Sequence, residues 1–337
     1  MRKIILLIIV TILFFILSLF LGAVHIPAEQ VWTVLTGGQA EKASWTFIIL
    51  DSRLPQAVTA MLCGMSLAVS GLMLQTSFRN PLAGPSILGI TNGASLGVAV
   101  VMLLSGGVIY EGNQLRLAGF LAVIAGAFIG ALIILLIILV LSAVVRNNIM
   151  LLIVGIMVSH LAASAISLLN FFAASDNVIS YVLWGMGSFS NVTFQQMPWY
   201  IGVNVIGLLL AILLVKPLNA LLLGDDYAGN LGINVQRTRM LLLLSTGLLT
   251  AVTTAFCGPI AFIGLAVPHI TRMIIGSENH RILLPGTIFC GSAIALLCNI
   301  LCTLPSDSVI PINAVTPIIG APVILYVIMG KNKKRDL

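Results

Sequence analysis

The sequence predicts an all-α membrane protein with ten transmembrane helices and both termini on the cytoplasmic side. Composition comes first: of 337 residues, 59% are hydrophobic and 8% charged, whereas a soluble domain carries about 25% charge, so this apolar surface cannot be hidden in an aqueous core. Continuity comes second. Apolar stretches of roughly 17 to 29 residues recur along the whole chain, each long enough to cross most or all of a ~30 Å hydrocarbon layer. Unbroken apolar runs imply helices, since barrel strands alternate apolar and polar positions. Third is the placement of Lys and Arg, which insertion retains on the cytoplasmic side. With the N-terminus inside, thirteen basic residues (Arg2, Lys3, Arg79, Arg146, Lys216, Arg237, Arg239, Arg272, Arg281, Lys331, Lys333, Lys334, Arg335) fall on one face and three (Lys42, Arg53, Arg116) on the other. The net charge of +6 is therefore a topology signal and not a nucleic-acid footprint.

The first segment, Ile4 to Val24, follows a basic start; its run from Ile4 to Leu21 exceeds the ~7 to 15 residues of a signal-peptide core, so it is expected to be retained. The others are Ala57 to Phe78, Ile87 to Leu104, Leu117 to Val145, Ile149 to Phe172, Trp199 to Val215, Met240 to Phe256, Ile260 to Ile275, Ile282 to Leu304 and Ile312 to Met329. Cys257-Gly258-Pro259 leaves almost no loop between the seventh and eighth. Gly64 with Ala68 in the second segment, and Gly126 with Gly130 in the fourth, have the spacing of close-packing helix faces. All four Trp, and Tyr110, Tyr181 and Tyr200, lie in or beside the outer loops, as an aromatic belt would place them. The outer loop Ala173 to Pro198 contains SYVLWGMGSF, which suits a short interfacial helix. The five cysteines lack metal or disulfide spacing and read as small packing residues. Residues 1–337 are expected to form a single transmembrane domain, with Asn80 to Gly97 and Asn279 to Ala295 weakly alike, as duplicated halves would be.

The first seven spans and the last two carry no Asp, Glu, Lys or Arg in their interiors; only His269 and Arg272, near the cytoplasmic end of the eighth, break the rule. Proton coupling needs a titratable residue at depth, so uphill transport would have to be driven by a partner. The chain has no GxxxxGK[ST] phosphate loop of its own and no HExxH, so it is not expected to be an enzyme. In the fifth segment His160, Ser164 and Ser167 share one helix side, flanked by Ser159 and Asn170. These polar groups either bond neighbouring helices or line a water-filled path. The longest polar stretch in the second half is the loop 216–239, KPLNALLLGDDYAGNLGINVQRTR. Two short helices are expected there, hinged at Gly224, with Asp225 as N-cap of the second and Gly232 ending it. It is either a solvated connector or the surface through which another protein acts.

Ser52-Arg53-Leu54-Pro55, Gly64 to Gly97, GDDYAGNLGINV (Gly224 to Val235), GPIAFIGLAVPHITR (Gly258 to Arg272), NHRILLPG (Asn279 to Gly286) and PINAVTPIIGAPV (Pro311 to Val323) occur in the order and spacing of a known family. Over nearly its whole length the chain resembles the FecCD-type permeases, the membrane subunits of ATP-binding-cassette importers for iron-siderophores, haem and cobalamin. The resemblance implies a homodimer of ten-helix subunits in a bacterial cytoplasmic (inner) membrane. It also implies a path along the two-fold axis, two cytoplasmic ATPases that hold the ATP and Mg, and an extracytoplasmic substrate-binding protein. No cofactor is expected in this chain. By similarity, Leu218, Leu222, Gly224, Asp225, Asp226, Tyr227, Leu231 and Gly232 would couple to the ATPase. Asn80, Pro81 and Leu82, with Asn147 and Asn148, would form the cytoplasmic gate; the fifth helix would line the path; Arg53 would meet the binding protein. Departures exist: Gln56 stands where a second arginine is often found, Cys302-Thr303-Leu304 lacks the further outer arginine, and Asn313 replaces a more usual glycine. A passive channel for a small solute is the alternative.

Overall fold

The computed structural model describes residues 2–104, 110–111, 114–115, 117–145, 148–305 and 309–333. Among these the regular elements are helices apart from a two-residue antiparallel ladder, Tyr110–Glu111 with Gln114–Leu115. Helix α1 (Arg2–Phe20) leads to short α2 (Ala28–Leu35) and α3 (Ala43–Phe47), then a π-helical turn over Ile48–Arg53 that runs into α4 (Leu54–Ser77). A 3-10 turn, Pro85–Leu88, precedes α5 (Ile90–Leu104), followed by α6 (Leu117–Val144), α7 (Asn148–Phe172), α8 (Ser175–Gly185) and α9 (Met197–Leu213). Then come α10 (Val215–Leu221), α11 (Asp225–Asn230), α12 (Val235–Cys257), α13 (Ile263–Ile275), α14 (His280–Thr303) and α15 (Ile312–Lys333).

Every predicted apolar stretch coincides with a helix, but not every one is long enough to cross a membrane alone. Six helices pass by length and composition, α9 and α10 make a seventh if their 52° bend is one broken span, and α5, α13 and the Ile312–Val327 part of α15 are shorter. The short ones have identifiable causes. The third stretch, expected from Ile87, begins as a 3-10 turn that ends at Gly89 with φ 77, so α5 starts only at Ile90. The eighth, expected from Ile260, waits until Ile263 because Phe262 holds φ 66 after the Gly258 turn. The segment between the first two long helices is mostly helical, and α8 begins earlier than the motif that suggested it.

The bundle is built around α4, buried along nearly its whole length. Small residues let its neighbours approach backbone to backbone, the main source of helix association where lipid offers no hydrophobic drive. A Cβ on Gly64 would sit 2.2 Å from the Gly291 carbonyl oxygen of α14, and one on Gly71 only 1.6 Å from that of Gly264 in α13. Gly93 and Gly97 of α5 meet Gly130 and Gly126 of α6 in the same way, so the GxxxG pair and the Gly64–Ala68 pair are packing faces. The faces turned outward are apolar: Ile5, Ile9, Ile12 and Ile16 on α1, and Ile129, Ile133, Leu136 and Val140 on α6, are all exposed. That is the inverse of a water-soluble bundle and suits a lipid surround.

Candidate functional site: a helical hairpin, the turn beside it and an open helix face

The polar loop 216–239 folds as a hairpin of two short helices at one end of the bundle. After the bend at Leu214, α10 is seated by Leu218, which has no exposure, and by Ala220 and Leu221. Gly224, at φ 128, turns the chain as only glycine readily can and serves as N-cap of α11. The expectation that Asp225 caps this helix is therefore corrected: Asp225 is the first helical residue, and its carboxylate is held elsewhere. Helix α11 ends as expected at Gly232. With Gly232 at φ 79, its N–H donates to the Gly229 carbonyl (2.9 Å) and that of Ile233 to Ala228 (3.1 Å), while Ile233 packs over Ala228. This closes the helix by the Schellman pattern. Leu222, Leu223, Asp226, Tyr227 and Leu231 are left exposed, so of the predicted coupling residues Leu218 faces the bundle and cannot reach a partner, whereas Leu222, Asp226, Tyr227 and Leu231 can.

Two polar links fasten the hairpin to the end of α4. Asp225 accepts from Arg79 and from Arg239, each at 3.2 Å. On the other side His280, fully buried, lies 2.9 Å from Thr76 Oγ1 through Nε2 and 2.9 Å from Asn219 Oδ1 through Nδ1. Asn219 in turn donates to Asn279 Oδ1 at 3.0 Å. Sequence reading missed both links, because their members come from four separate stretches. A usable signal did exist: Arg79 and Arg239 both fall on the face that holds the Asp225 pair.

The turn after α4 carries Asn80, Pro81 and Leu82. Asn80 Oδ1 accepts from the Leu82 N–H at 2.9 Å, and its carbonyl from the Ala83 N–H at 3.0 Å. The Pro81 carbonyl can only accept, so His269 Nε2, at 2.7 Å, is the donor. Leu82 is exposed. Nearby, Arg272 donates to Gln75 Oε1 (2.6 Å) and Glu278 Oε2 (3.0 Å), so both ionisable residues of the eighth segment brace the end of α4 and the turn after it. Asn147 lies outside the described residues, and of Asn148 only its place at the start of α7 is described.

Helix α7 packs along α5 and the Pro85–Leu88 turn and leaves its other side open. Ser159 faces the packed side: its Oγ donates to Gly155 O (2.8 Å), and its own carbonyl accepts from Asn92 Nδ2 (3.4 Å). His160, Ser164 and Ser167 share the open side with Ile153, Met157, Leu161, Leu168 and Phe171; Ser167 Oγ is turned back to Ala163 O at 3.0 Å. Asn170 is half-buried, and its Oδ1 has no hydrogen-bond partner among the described residues. The stripe therefore divides: one serine serves packing, and three polar groups lie on a face the subunit itself does not cover.

At the opposite end of the bundle lies Arg53, expected to meet a binding protein. It is 5% exposed. Its Nη1 donates to the carbonyls of Leu19 (2.9 Å) and Phe20 (3.0 Å), and Nη2 to that of Val24. The guanidinium caps the C-terminus of α1, where orphan carbonyls and the helix dipole both favour a cation. Asn313, the departure from the usual glycine, has a visible role: its Nδ2 donates to Gly185 O (3.1 Å) and to Pro259 O, and its Oδ1 accepts from the Ala261 N–H (3.1 Å). It joins α8, the turn between α12 and α13, and the start of α15.

Comparison with known proteins agrees with this architecture. The chain is 33% identical over 321 residues to the hemin transport system permease protein of Yersinia pestis, covering 94% of this chain and 92% of that protein. It is also 33% identical over 306 residues to the vitamin B12 import system permease protein of Salmonella paratyphi A (strain ATCC 9150 / SARB42), with 90% and 89% covered. A solved chain of a metal-chelate type ABC transporter in an inward-facing conformation superimposes with a TM-score of 0.84 at 26% identity, covering 98% of this chain and 99% of that one. With the FecCD transport family matched over residues 9–330, the chain belongs to that family.

Proposed function

We propose that this chain is the membrane-spanning permease subunit of an ATP-binding-cassette importer that carries a metal chelate, namely a ferric siderophore, haem or cobalamin, across the cytoplasmic membrane of a bacterium. The observation that carries the reading is the hairpin: Leu222, Leu223, Tyr227 and Leu231 stand exposed on short helices that are pinned beneath. Apolar side chains on a stiff, polar-braced platform suit a protein groove and not lipid. In this reading the chain crosses the membrane ten times, α5, α13 and α15 included, with both termini cytoplasmic. Two copies meet along the open face of α7, and His160, Ser164, Ser167 and Asn170 line the path between them. Asn80, Pro81 and Leu82, with Asn147 and Asn148, close its cytoplasmic end. Two ATPase subunits bind ATP and Mg and grip the hairpins; a substrate-binding protein delivers the chelate from the other side. The similarity to a hemin transport permease, a vitamin B12 import permease and a metal-chelate type ABC transporter supports an energised importer over a passive channel.

The test is reconstitution of the chain with its cognate ATPase and binding protein in liposomes, with haem, a ferric hydroxamate siderophore and cyanocobalamin as separate cargoes. One cargo is expected to accumulate only with ATP. Tyr227→Arg together with Leu231→Arg should abolish ATPase co-purification while leaving the permease dimer intact. Accumulation that persists with a hydrolysis-dead ATPase overturns the proposal.

A further inference from the structure

We infer that Asp225 is the joint through which the hairpin moves the Asn80–Leu82 turn, acting as a positioning residue inside the permease and not as part of the surface that holds the ATPase. The inference rests on the permease reading above. Its first support is direction. Successive residues on a helix point about 100° apart, so the two adjacent carboxylates of α11 cannot share a role. Asp226 is exposed; Asp225 turns inward, between Arg79 and Arg239.

The second support is the conformation of the receiving residue. Arg79 immediately precedes Asn80 and holds φ 47, a left-handed state that a non-glycine residue rarely adopts and that costs roughly 1–3 kcal/mol. The result of that twist is that its guanidinium lies over the hairpin turn, where a Cβ on Gly224 would come within 3.3 Å of Nη2. The third is stiffness downstream. The bonds from Asn80 to Leu82 and Ala83 make the turn a closed unit, so a pull at Arg79 is delivered to Pro81 and Leu82. The two arginines also differ in kind: the Arg239 side chain is 8% exposed and that of Arg79 50%. Arg239 seats the carboxylate, and Arg79 is the arm free to travel with it. An exposed ion pair adds little stability, so this link is suited to setting position.

The experiment uses the complete reconstituted complex and a probe that does not depend on the cargo. All five native cysteines are buried, so Leu82→Cys supplies an accessible thiol whose labelling by a membrane-impermeant maleimide, with and without ATP, reports movement of the turn. Asp225→Asn and Arg79→Gln are each expected to keep ATPase co-purification and ATP turnover within about twofold of the parent, while the ATP-dependent change in labelling falls about tenfold. Asp225→Glu should restore it, and the double variant should be no worse than either single one. Uptake per ATP hydrolysed should fall in parallel for whichever cargo the parent accumulates. Loss of ATPase binding in proportion to the labelling change would make Asp225 a docking residue and overturn the inference; so would an unchanged labelling response. If Asp225→Asn fails to fold, Arg79→Gln, at the exposed end of the same bond, decides alone. A wild-type complex, with Leu82 in place, that shows no ATP-driven uptake refutes the permease reading instead, which keeps the two failures apart.

Discussion

Arg53→Ala separates a structural arginine from a docking one. The guanidinium serves the carbonyls of Leu19, Phe20 and Val24, and a hydrogen bond to a charged group is worth about 1.5–3 kcal/mol when it is removed from a buried site. Only the Leu19 bond is fully buried; at the other two carbonyls water can take over part of the loss, leaving roughly 0.5–1 kcal/mol each. The total is about 3 kcal/mol, a large share of a typical folding free energy. For a chain of this length that lowers the apparent unfolding midpoint by about 5 °C. The assay is the monodisperse fraction of detergent-purified protein after heating, alongside binding-protein affinity measured in the cold on the folded fraction. The expected outcome is a lower midpoint with parental affinity, and Arg53→Lys in between, because an ammonium can reach one or two of the carbonyls but not all. An unchanged midpoint with weakened binding-protein affinity would refute the reasoning and return Arg53 to the docking surface.

Gly71→Ala places a Cβ 1.6 Å from the Gly264 carbonyl oxygen, while such a contact needs about 3.3 Å; α4 and α13 must part, and a midpoint loss equivalent to at least ~3 kcal/mol is expected. Gly202→Ala, with open space around it, is the neutral control in the same heating assay, and equal behaviour of the two would sink the packing argument. Asn313→Ala removes three bonds that join α8, the α12–α13 turn and α15, so proteolysis at the 257–262 turn should accelerate; an unchanged cleavage rate rejects the role. Thr11→Val removes a hydroxyl that lies 2.8 Å from the Leu7 carbonyl within α1 and 2.9 Å from the Phe289 carbonyl of α14, the one bond it offers between helices. Interhelical bonds in membranes average about 0.6 kcal/mol, so a midpoint change matching more than ~2 kcal/mol would show that α1 is held differently.

The helical class and the positions of the apolar stretches were legible because hydrocarbon thickness and backbone hydrogen bonding restrict an apolar chain to one solution; six helices, or seven with the bent pair, are long enough to cross by themselves. The hairpin was legible as well, since Gly224 and Gly232 bracket a short apolar-periodic piece, and both take positive φ. What sequence could not show was the partner of each charge. Asp225 at a helix start looks like a cap, but the cap position fell to Gly224, and the carboxylate was drawn to arginines 146 and 14 residues away in the chain. Arg53 had the same ambiguity: a lone cation in an outer loop resembles a docking charge until the end of α1 is brought beside it. The stripe on α7 was half legible, because periodicity places residues on one side of a helix but does not say which side the bundle covers.

The distribution of polar bonds also divides the molecule into parts that should behave differently. Along the middle of the bundle α4 is held by glycine-backed backbone contacts to α13 and α14, which are short-ranged and have one good geometry, so these helices should move together or not at all. At the hairpin end the same helix is surrounded by Gln75, Thr76 and Arg79, each bonded through a side chain to a different segment: Arg272 of α13, His280 of α14 and Asp225 of α11. Side-chain bonds of this kind tolerate rotation about several torsions and can exchange partners, which tight backbone contacts cannot. Motion imposed on the hairpin therefore meets least resistance at the last turn of α4 and the turn that follows it. The stiff middle of α4 keeps that displacement from spreading into the rest of the bundle.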